Sequence, residues 1–411
     1  MTQRREHRSQ VGIVGAGPAG LVLAKLLARA GVDSVVLEAR SRSYVEARVR
    51  AGVLEAPTVE LLREAGVADR LDREGMPHSG IALRFADAPG GPAQDHRIDF
   101  ADLVGKGITV YGQQEVVKDL LADRIDDAGL PVEFEVSDVE FHDVTTDAPS
   151  ITWTAADGSA HRLHCDVVAG CDGFHGGSRA VAGAGGDLTV AERSYPFAWL
   201  GVLAKAAPTT DELVYAHHDR GFALYSMRSP EVTRLYLQVP PETDPGDWSE
   251  ARIWDELQTR LARPGFTLNE GEFLEKPGVT GMRSMVAGPM RRGRLFLAGD
   301  AAHIVPPTGA KGMNLAIADV RVLAEAITRF YAGAGEGGFD GYSETCLRRV
   351  WRAEHFSWFM TSMLHRFDPG TEAGDPFGVG LQRAQLRYTV SSRAAATSLA
   401  ENYVGLPHGA V

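Results

Sequence analysis

The chain has 411 residues and a formal net charge of −12, so it is long enough for more than one domain around sizeable cores. The acidic balance argues against nucleic acid or an anionic membrane as the main partner, because both select basic surfaces. The three cysteines are too few for a disulfide framework or a four-thiolate metal site, so we expect no metal and a cytoplasmic location.

The N-terminus has two interpretations. Arg4, Arg5 and Arg8 precede an uncharged stretch at positions 11–24, a pattern that secretory signals share. Four glycines between positions 12 and 20 would break an apolar helix there, which favours a short disordered leader followed by a nucleotide-binding turn. No other apolar run approaches the ~18 residues that a membrane span needs.

A βαβ unit follows the leader. Residues 11–14 predict a buried strand, apolar positions 23, 26, 27 and 30 predict a helix, and residues 34–38 predict a second strand. Between strand and helix, Gly15 permits the tight turn, Gly17 lets the backbone approach a pyrophosphate, and Gly20 allows close helix–strand packing. Glu38 ends the second strand, where a carboxylate accepts hydrogen bonds from ribose hydroxyls. The unit predicts a dinucleotide site without choosing between FAD and NAD.

Two later segments favour a flavin. Residues 166–170 form a predicted strand that ends at Asp172-Gly173, and residues 293–298 form another that ends at Gly299-Asp300. A glycine-rich turn at 306–314 then leads into a helix near Leu315. Asp300 is placed to accept from a ribitol hydroxyl, and the helix N-terminus would stabilise negative charge at a flavin ring edge.

The pattern changes to strands after residue 188. Residues 198–205, 213–217, 222–227 and 234–239 predict an antiparallel sheet, and helices are predicted at 312–331, 347–365 and 381–402. We therefore expect three regions: a dinucleotide-binding domain at 1–188, a sheet-based substrate domain at 189–304, and a helical region at 305–411.

With these motifs, the chain resembles the class A FAD-dependent aromatic hydroxylases over residues 11–407. Besides the three glycine-containing motifs, the matching stretches are 50–55, 171–176, 195–197, 294–312 and 401–407. Departures lie in the leader, at 88–94 and at 368–380. The resemblance implies an α/β fold, with a Rossmann-like FAD domain, an inserted antiparallel-sheet substrate domain and C-terminal helices.

The resemblance also implies an activity. It is the hydroxylation of 4-hydroxybenzoate to 3,4-dihydroxybenzoate with NADH or NADPH and O₂, through a flavin C4a-hydroperoxide, in a homodimer. No second G-x-G-x-x-G follows a strand, so we expect the pyridine nucleotide to dock transiently in a cleft. Alternatives are another para-substituted benzoate such as 4-aminobenzoate, a flavin oxidoreductase that inserts no oxygen, and a non-catalytic dinucleotide-binding module.

The resemblance assigns residues to both ends of the substrate. The carboxylate-binding residues implied are Ser226, Arg228 and Tyr236; the proton relay from the phenol is Tyr215, Tyr403 and His78; and Pro307 and Thr308 contact the phenol and the reacting oxygen. By itself, a strand arginine such as Arg228 would be a surface charge, and His78 would be a surface histidine.

Cofactor residues follow in the same way. Those implied for FAD are Gly15, Gly17, Ala19, Gly20, Glu38, Arg48, Arg50, Gln113, Asp172, Asp300, Lys311, Gly312 and Asn314, and those for NAD(P)H are Tyr44, Arg48, His175 and Arg283. Lys311 is either a solvated lysine or a cation near the flavin. Ala39 stands where NADPH-specific relatives have an arginine, with Arg40 and Arg42 close behind, so we expect NADH to be accepted.

Overall fold

The computed structural model of the chain describes residues 4–49, 52–88 and 90–407, so Arg50 lies outside the described residues. Its first strands are β1 (Arg5–Arg8), β2 (Val11–Val14), β3 (Ser34–Leu37), β4 (Val53–Leu54), β5 (Met76–His78), β6 (Gly80–Ala86), β7 (Ala93–Asp99), β8 (Ile108–Val110), β9 (Val132–Glu133), β10 (Ser137–His142) and β11 (Ser150–Thr154). The later strands are β12 (Ala160–His164), β13 (Val167–Gly170), β14 (Thr189–Lys205), β15 (Val214–Ala216), β16 (Ala223–Ser229), β17 (Val232–Val239), β18 (Glu272–Phe273), β19 (Gly278–Gly288), β20 (Arg291–Arg292), β21 (Leu295–Leu297) and β22 (His303–Ile304).

The helices connect and cover these strands. They are α1 (Pro18–Arg29), α2 (Arg42–Ala47), α3 (Ala56–Ala65), α4 (Asp69–Glu74), α5 (Phe100–Val104), α6 (Gln113–Leu121), α7 (Ser178–Gly183), α8 (Glu250–Arg260), α9 (Gly312–Arg329), α10 (Gly337–Asp340), α11 (Tyr342–Leu364), α12 (Pro376–Ser391) and α13 (Arg393–Val404). Short 3-10 turns at Gly299–Ala301 and Pro307–Gly309 lie between β21 and α9. None of the helices in the described ranges is long and apolar enough to cross a membrane.

A six-stranded sheet in the order β20-β21-β13-β2-β3-β9 carries the dinucleotide motifs. Strands β21, β13, β2, β3 and β9 run parallel, as continuous apolar sequences such as Val-Gly-Ile-Val favour when both faces are buried. Their carboxyl ends therefore share one edge, where Gly15, Glu38, Asp172 and Asp300 follow the strands. This is the crevice in which open α/β sheets bind ligands, and the predicted α/β fold is confirmed.

The glycine turn explains how α1 starts so close to the sheet. Gly15 has φ +109°, a value that L side chains avoid, and a Cβ at Gly20 would collide with the Gly15 carbonyl oxygen. At Gly17, in contrast, a Cβ would meet no atom within 4 Å. Packing constraints thus explain the first and third glycines, whereas the second leaves backbone open to a ligand.

The large sheet has the order β22-β19-β14-β17-β16-β15-β6-β7, with β18 also beside β14. Its centre is antiparallel, as the alternating patterns predicted, but β15 pairs with β6 in parallel. Strands from residues 80–99 therefore join the sheet whose other members come from residues 189–304. The boundaries at 188 and 304 stay predictions.

The structure corrects two local predictions. Residues 5–8, expected in a disordered leader, form β1 and pair with β12. The edge of β12 supplies hydrogen-bond partners for their backbone groups, and this distant partner cannot be predicted from the local sequence. The single helix predicted at 381–402 is two helices, since the backbone of Ser392 is extended and its hydroxyl accepts from the amide of Ala395 to cap α13.

Buried apolar side chains form two main clusters. One lies around the six-stranded sheet with α1 and α9, and the other lies between the nine-stranded sheet and helices α11–α13. The second cluster includes Tyr215 on β15 and Tyr403 on α13, so the C-terminal helix packs against the large sheet.

Candidate active site

The glycine turn and the strand ends form a cradle for a dinucleotide. Gly17 faces open space at the N-terminus of α1, where free amides and the helix dipole favour a phosphate. The Glu38 carboxylate accepts from the amide of Ala16 at 2.7 Å and from that of Arg40 at 2.8 Å. These bonds hold the carboxylate beside the turn, with further oxygen lone pairs left for ribose hydroxyls. The cradle fits the adenosine half of FAD.

Three more residues predicted to bind FAD, Asp172, Asp300 and Gln113, begin or follow other elements of this domain. Asp172 accepts from the amide of Ser178 at 2.9 Å and from its hydroxyl, so it caps α7. Burial raises the pKa of Asp172, although both bonds act in the opposite direction. Asp300 lies in the turn after β21, and Gln113 begins α6.

The turn before α9 is fixed by a buried ion pair. The Nζ of Lys311 donates to Glu55 Oε1 at 2.6 Å and to the carbonyl of Tyr403 at 3.1 Å, and only 4% of the lysine side chain is exposed. Burial lowers its pKa, which Glu55 opposes. A solvated lysine is therefore wrong for Lys311. Gly312, next in the chain, has open space where its Cβ would be.

Asn314 ties the same turn to the strand below it. Its Oδ1 accepts from the amide of Glu55 at 3.0 Å, and its Nδ2 donates to the carbonyls of Val53 and Ala310, both at 3.0 Å. Since its side-chain amide is engaged by protein groups, a contact of Asn314 with a flavin would come from its backbone. Arg48, at the end of α2, is exposed.

A buried guanidinium lies at the position that the resemblance assigns to the substrate carboxylate. Arg228 Nη1 donates to the Ser226 hydroxyl at 2.8 Å, and the guanidinium packs against the α-carbon of Gly52. Its Nε is buried with no hydrogen-bond partner among the described residues. Burial lowers the pKa of Arg228, while the nearby Tyr236 hydroxyl favours the charged form. A planar guanidinium of this kind can bind the two oxygens of a carboxylate.

Two tyrosines lie at positions that the resemblance assigns to the proton relay from the phenol. The hydroxyls of Tyr215 and Tyr403 are 2.5 Å apart, and both side chains are buried. Burial raises the pKa of both phenols, so both are neutral near pH 7. Tyr215 lies on β15, which pairs with β16, the strand that carries Ser226 and Arg228.

His78 is buried, with 4% exposed, so a surface histidine is wrong. Its Nδ1 has no hydrogen-bond partner in the described part of the chain, and the structure shows no bond from it to Tyr403. Burial lowers its pKa, which Glu212 and Asp211 partly offset. Its link to the tyrosine pair stays a prediction.

Pro307 and Thr308 form the 3-10 turn that leads to Lys311. The Pro307 carbonyl accepts from the amide of Ala310 at 2.9 Å, which leaves one lone pair for a further donor. The Thr308 hydroxyl accepts from that of Thr361 at 2.9 Å. Helix α11 thus supports the turn from behind.

The residues predicted for NAD(P)H form two exposed groups. His175 and Arg283 both contact Phe174: the imidazole meets its ring edge-on at 4.9 Å between centroids, and the guanidinium lies 4.2 Å above it. Tyr44 and Arg48 lie on α2. No contact between these two groups is shown among the described residues. In the same part of the chain, no cluster of His, Cys, Asp or Glu side chains could hold a metal ion.

Sequence reasoning missed the residues that act through others. Glu55, Phe174, Thr361 and His365 were given no role, and each has a partner far away in the chain. Glu55 and Phe174 had the one available signal, because each lies in a stretch that carries the family resemblance, 50–55 and 171–176.

Comparison with known proteins places this site in a family. A family model described as FAD binding domain matches residues 8–357. The p-hydroxybenzoate hydroxylase of Acinetobacter baylyi is 47% identical over 403 residues, which cover 98% of this chain and 96% of that protein. A 3-(3-hydroxy-phenyl)propionate/3-hydroxycinnamic acid hydroxylase of Burkholderia cenocepacia is 28% identical, over 79% of this chain and 58% of its own length.

Solved structures share the fold. A p-nitrophenol 4-monooxygenase from Pseudomonas putida superposes with a TM-score of 0.75 at 20% identity, covering 98% of this chain and 99% of its own. An aklavinone-11 hydroxylase in complex with FAD and aklavinone has a TM-score of 0.71 at 24% identity, covering 90% and 70%.

Together, the fold, the dinucleotide cradle and the family match define an FAD-dependent monooxygenase of the aromatic hydroxylase class. Its requirements are FAD, NAD(P)H and O₂, as the resemblance implied. More narrowly, the chain belongs to the p-hydroxybenzoate hydroxylase family, because nearly half of its residues are identical over almost the whole of both proteins.

Proposed function

We propose that this enzyme hydroxylates 4-hydroxybenzoate to 3,4-dihydroxybenzoate with NAD(P)H and O₂. One arrangement supports the proposal: a buried cation, Arg228 on β16, and a neutral tyrosine pair that starts at Tyr215 on the adjacent strand β15 and continues to Tyr403. A benzoate with a para hydroxyl has a carboxylate for the first and a phenol for the second.

The carboxylate end supplies binding. A buried guanidinium without a countercharge is costly, so an incoming carboxylate gains a charge-assisted pair and satisfies the Nε of Arg228. Ser226 and Tyr236 orient the guanidinium from its sides. Substrates without a carboxylate would leave this cation unpaired.

The phenol end controls reactivity. The substrate hydroxyl would donate to Tyr215, which passes a proton to Tyr403, and the ring becomes more electron-rich at the carbon next to the hydroxyl. We propose His78 as the outer end of this relay. Its buried, unpartnered Nδ1 is available to a water that would bridge the gap.

Bound FAD supplies hydride acceptance from NAD(P)H and activation of O₂. Gly15, Gly17 and Glu38 would hold its pyrophosphate and ribose, and the segment from Pro307 to Gly312 would face its ring. Glu55 and Lys311 keep that segment in place. The Pro307 carbonyl would be an alternative acceptor for the phenol proton when that proton is not donated to Tyr215.

We also propose a preference for NADH. Arg42, one of two cations near the position of Ala39, uses three of its five N–H donors within the protein: it bonds both oxygens of Asp126 at 2.7 and 2.5 Å and donates to Glu46 at 2.7 Å. A guanidinium with these partners has little capacity for a 2′-phosphate. Arg40 instead lies over the ring of Tyr44.

One assay tests the substrate proposal. Oxidation of NADH and of NADPH is followed in air with and without 4-hydroxybenzoate, with products identified by chromatography and ¹⁸O₂ as oxygen source. We expect labelled 3,4-dihydroxybenzoate and faster oxidation with substrate. Labelled product from 4-aminobenzoate alone would favour that substrate instead, and unlabelled product would contradict oxygen insertion.

A second copy of the chain is the proposed partner. The neighbouring helices α11 and α12 expose large apolar side chains, 41–75% accessible: Trp351, Trp358, Phe377, Leu381 and Tyr388. Patches of this kind mark association surfaces. Light scattering should give twice the chain mass, and Phe377→Glu with Leu381→Glu should halve it, whereas Leu274→Glu, on another exposed position, should not. A parent monomer would contradict the proposal.

A cytoplasmic location is proposed as well. Cys165, Cys171 and Cys346 are all free and buried, and free thiols are typical of a reducing compartment. Fractionation of cells that express the full chain would test it.

A further inference from the structure

A chain of hydrogen bonds runs behind the candidate active site from the large sheet to the flavin-facing turn. Trp199 Nε1, on β14, donates to His365 Nε2 at 2.7 Å. His365 Nδ1 bonds the carbonyl of Thr361 at 3.0 Å. The hydroxyl of Thr361 donates to that of Thr308 at 2.9 Å. Each of the four side chains is at most 3% exposed.

The tautomer of His365 is determined by its neighbours. An indole N–H is only a donor, so Nε2 must accept and the ring proton must sit on Nδ1, where it points at the Thr361 carbonyl. The imidazole is stacked between Phe197 at 4.5 Å and Phe222 at 4.4 Å. Burial lowers the pKa of His365 to about 3, so this pattern persists over the working pH range.

The two ends of this series of hydrogen bonds, Trp199 and Thr308, lie on the two sides of the proposed reaction. Trp199 packs on Tyr236 at 4.8 Å between ring centroids, beside the carboxylate end of the pocket. Thr308 lies in the turn that would face the flavin. Because its hydroxyl accepts from Thr361, its own proton remains to be donated on another side. The hydrogen bonds therefore link the surface that holds the substrate to the turn that holds the ring.

We propose that His365 and Thr361 are positioning residues that fix the distance between the bound aromatic ring and the flavin-facing turn. Neither is among the residues proposed to contact the substrate. Misplacement of reacting atoms by about 1 Å is enough to lower a rate by a hundredfold, and oxygen that does not reach the ring leaves as hydrogen peroxide. These hydrogen bonds would thus control the fraction of NADH oxidation that leads to hydroxylated product. This inference rests on the proposed function.

The test compares Thr361→Val, which keeps the shape and loses the hydroxyl, with Thr361→Ser, which keeps the hydroxyl. Product and hydrogen peroxide are both measured per NADH oxidised in the FAD-loaded enzyme. Loss of one hydrogen bond should shift the ratio of product to peroxide about fivefold in the valine variant. The KM for 4-hydroxybenzoate should stay within about twofold, because no substrate contact changes. Serine should restore the ratio.

A second variant separates positioning from general loosening of the core. Asn at position 365 (His365→Asn) retains a donor for the Thr361 carbonyl and loses the acceptor for Trp199. If the residues act through one chain, the double variant His365→Asn/Thr361→Val should lose no more coupling than the worse single variant. Independent packing defects would instead add, and additive losses would overturn the proposal.

Two further outcomes are distinct. A parent enzyme that makes 3,4-dihydroxybenzoate, with both single variants coupling like the parent, would overturn the inference and leave the proposed function intact. A parent that makes none would overturn the proposed function, and the inference with it. If Thr361→Val does not retain FAD, His365→Asn decides alone: parent-like coupling overturns the inference, and lowered coupling at unchanged KM supports it.

Discussion

The hydroxyl oxygens of Tyr215 and Tyr403 are 2.5 Å apart, although the residues are separated by 188 positions in the chain. Each is neutral near pH 7 because burial raises its pKa, and each can donate or accept. The pair is therefore prepared to move a proton in either direction without holding a charge in the pocket.

Replacing Tyr215 by Phe should uncouple NADH oxidation from hydroxylation. The phenol of the substrate loses its acceptor, so the ring is less activated while the flavin site is unchanged. Chromatography should show less 3,4-dihydroxybenzoate per NADH, with more peroxide and unchanged FAD content. A full product yield from Tyr215→Phe would refute the relay.

Replacing Arg228 by Ala should raise the KM for 4-hydroxybenzoate strongly, by about 100-fold, because a buried charge-assisted pair is lost. Steady-state kinetics measures it. Phenol, which has no carboxylate, serves as the internal control: its weak binding should not worsen in the variant. An unchanged KM for 4-hydroxybenzoate would show that the carboxylate binds elsewhere.

Freeing Arg42 should improve the use of NADPH. In the double variant Asp126→Asn/Glu46→Gln, the guanidinium loses both carboxylate partners, and the KM for NADPH should fall about tenfold through a new phosphate pair. The KM for NADH should change little. Asp127→Asn, an exposed neighbour, is the matched control. Parallel changes for both coenzymes would argue against a role for Arg42 in the preference.

Breaking the buried ion pair should destabilise the fold. Lys311→Met leaves the Glu55 carboxylate without its cation, which should lower the free energy of unfolding by about 3–5 kcal/mol. The double variant with Glu55→Leu should recover much of this loss. Lys106→Met removes an exposed pair with Glu60 and should cost at most about 1 kcal/mol. Urea unfolding of the four proteins decides; equal losses for both lysines would contradict the expectation.

Acid should weaken the protein through buried imidazoles. Burial lowers the pKa of His365 to about 3 and also lowers those of His217 and His78, whereas all three titrate near 6.5 when unfolded. Below that pH the unfolded chain binds protons that the folded one does not, so the free energy of unfolding decreases as the pH is lowered. For His365 the loss continues to about pH 3.

His365→Asn removes this contribution and should flatten the pH dependence of stability between about pH 6 and 4, by up to ~1.4 kcal/mol per pH unit. Urea unfolding at several pH values measures the slope. The pKa of His303 is shifted in the opposite direction to that of His365, because Asp319 raises it despite burial. An identical slope in parent and variant would mean that His365 is not the group responsible.

The flavin-binding half of the fold could be predicted from local sequence patterns. Positions 11–38 combine strand, glycine turn and acidic strand end within one local unit, and local units of this kind leave few geometries open. The parallel strand before Asp300 was equally visible. Each of these predictions depends on residues that are close together in the chain, so periodicity and turn chemistry suffice.

The side-chain partners and the burial of residues outside that half became known only from the folded structure. Asp126 lies 84 positions from Arg42, Glu55 lies 256 from Lys311, and His365 lies 166 from Trp199. No local pattern encodes such pairs. The substrate residues came from resemblance, yet the sequence left Arg228 as a plausible surface charge. Burial changed that interpretation, because a desolvated guanidinium with an unsatisfied Nε needs an anion that an exposed one does not.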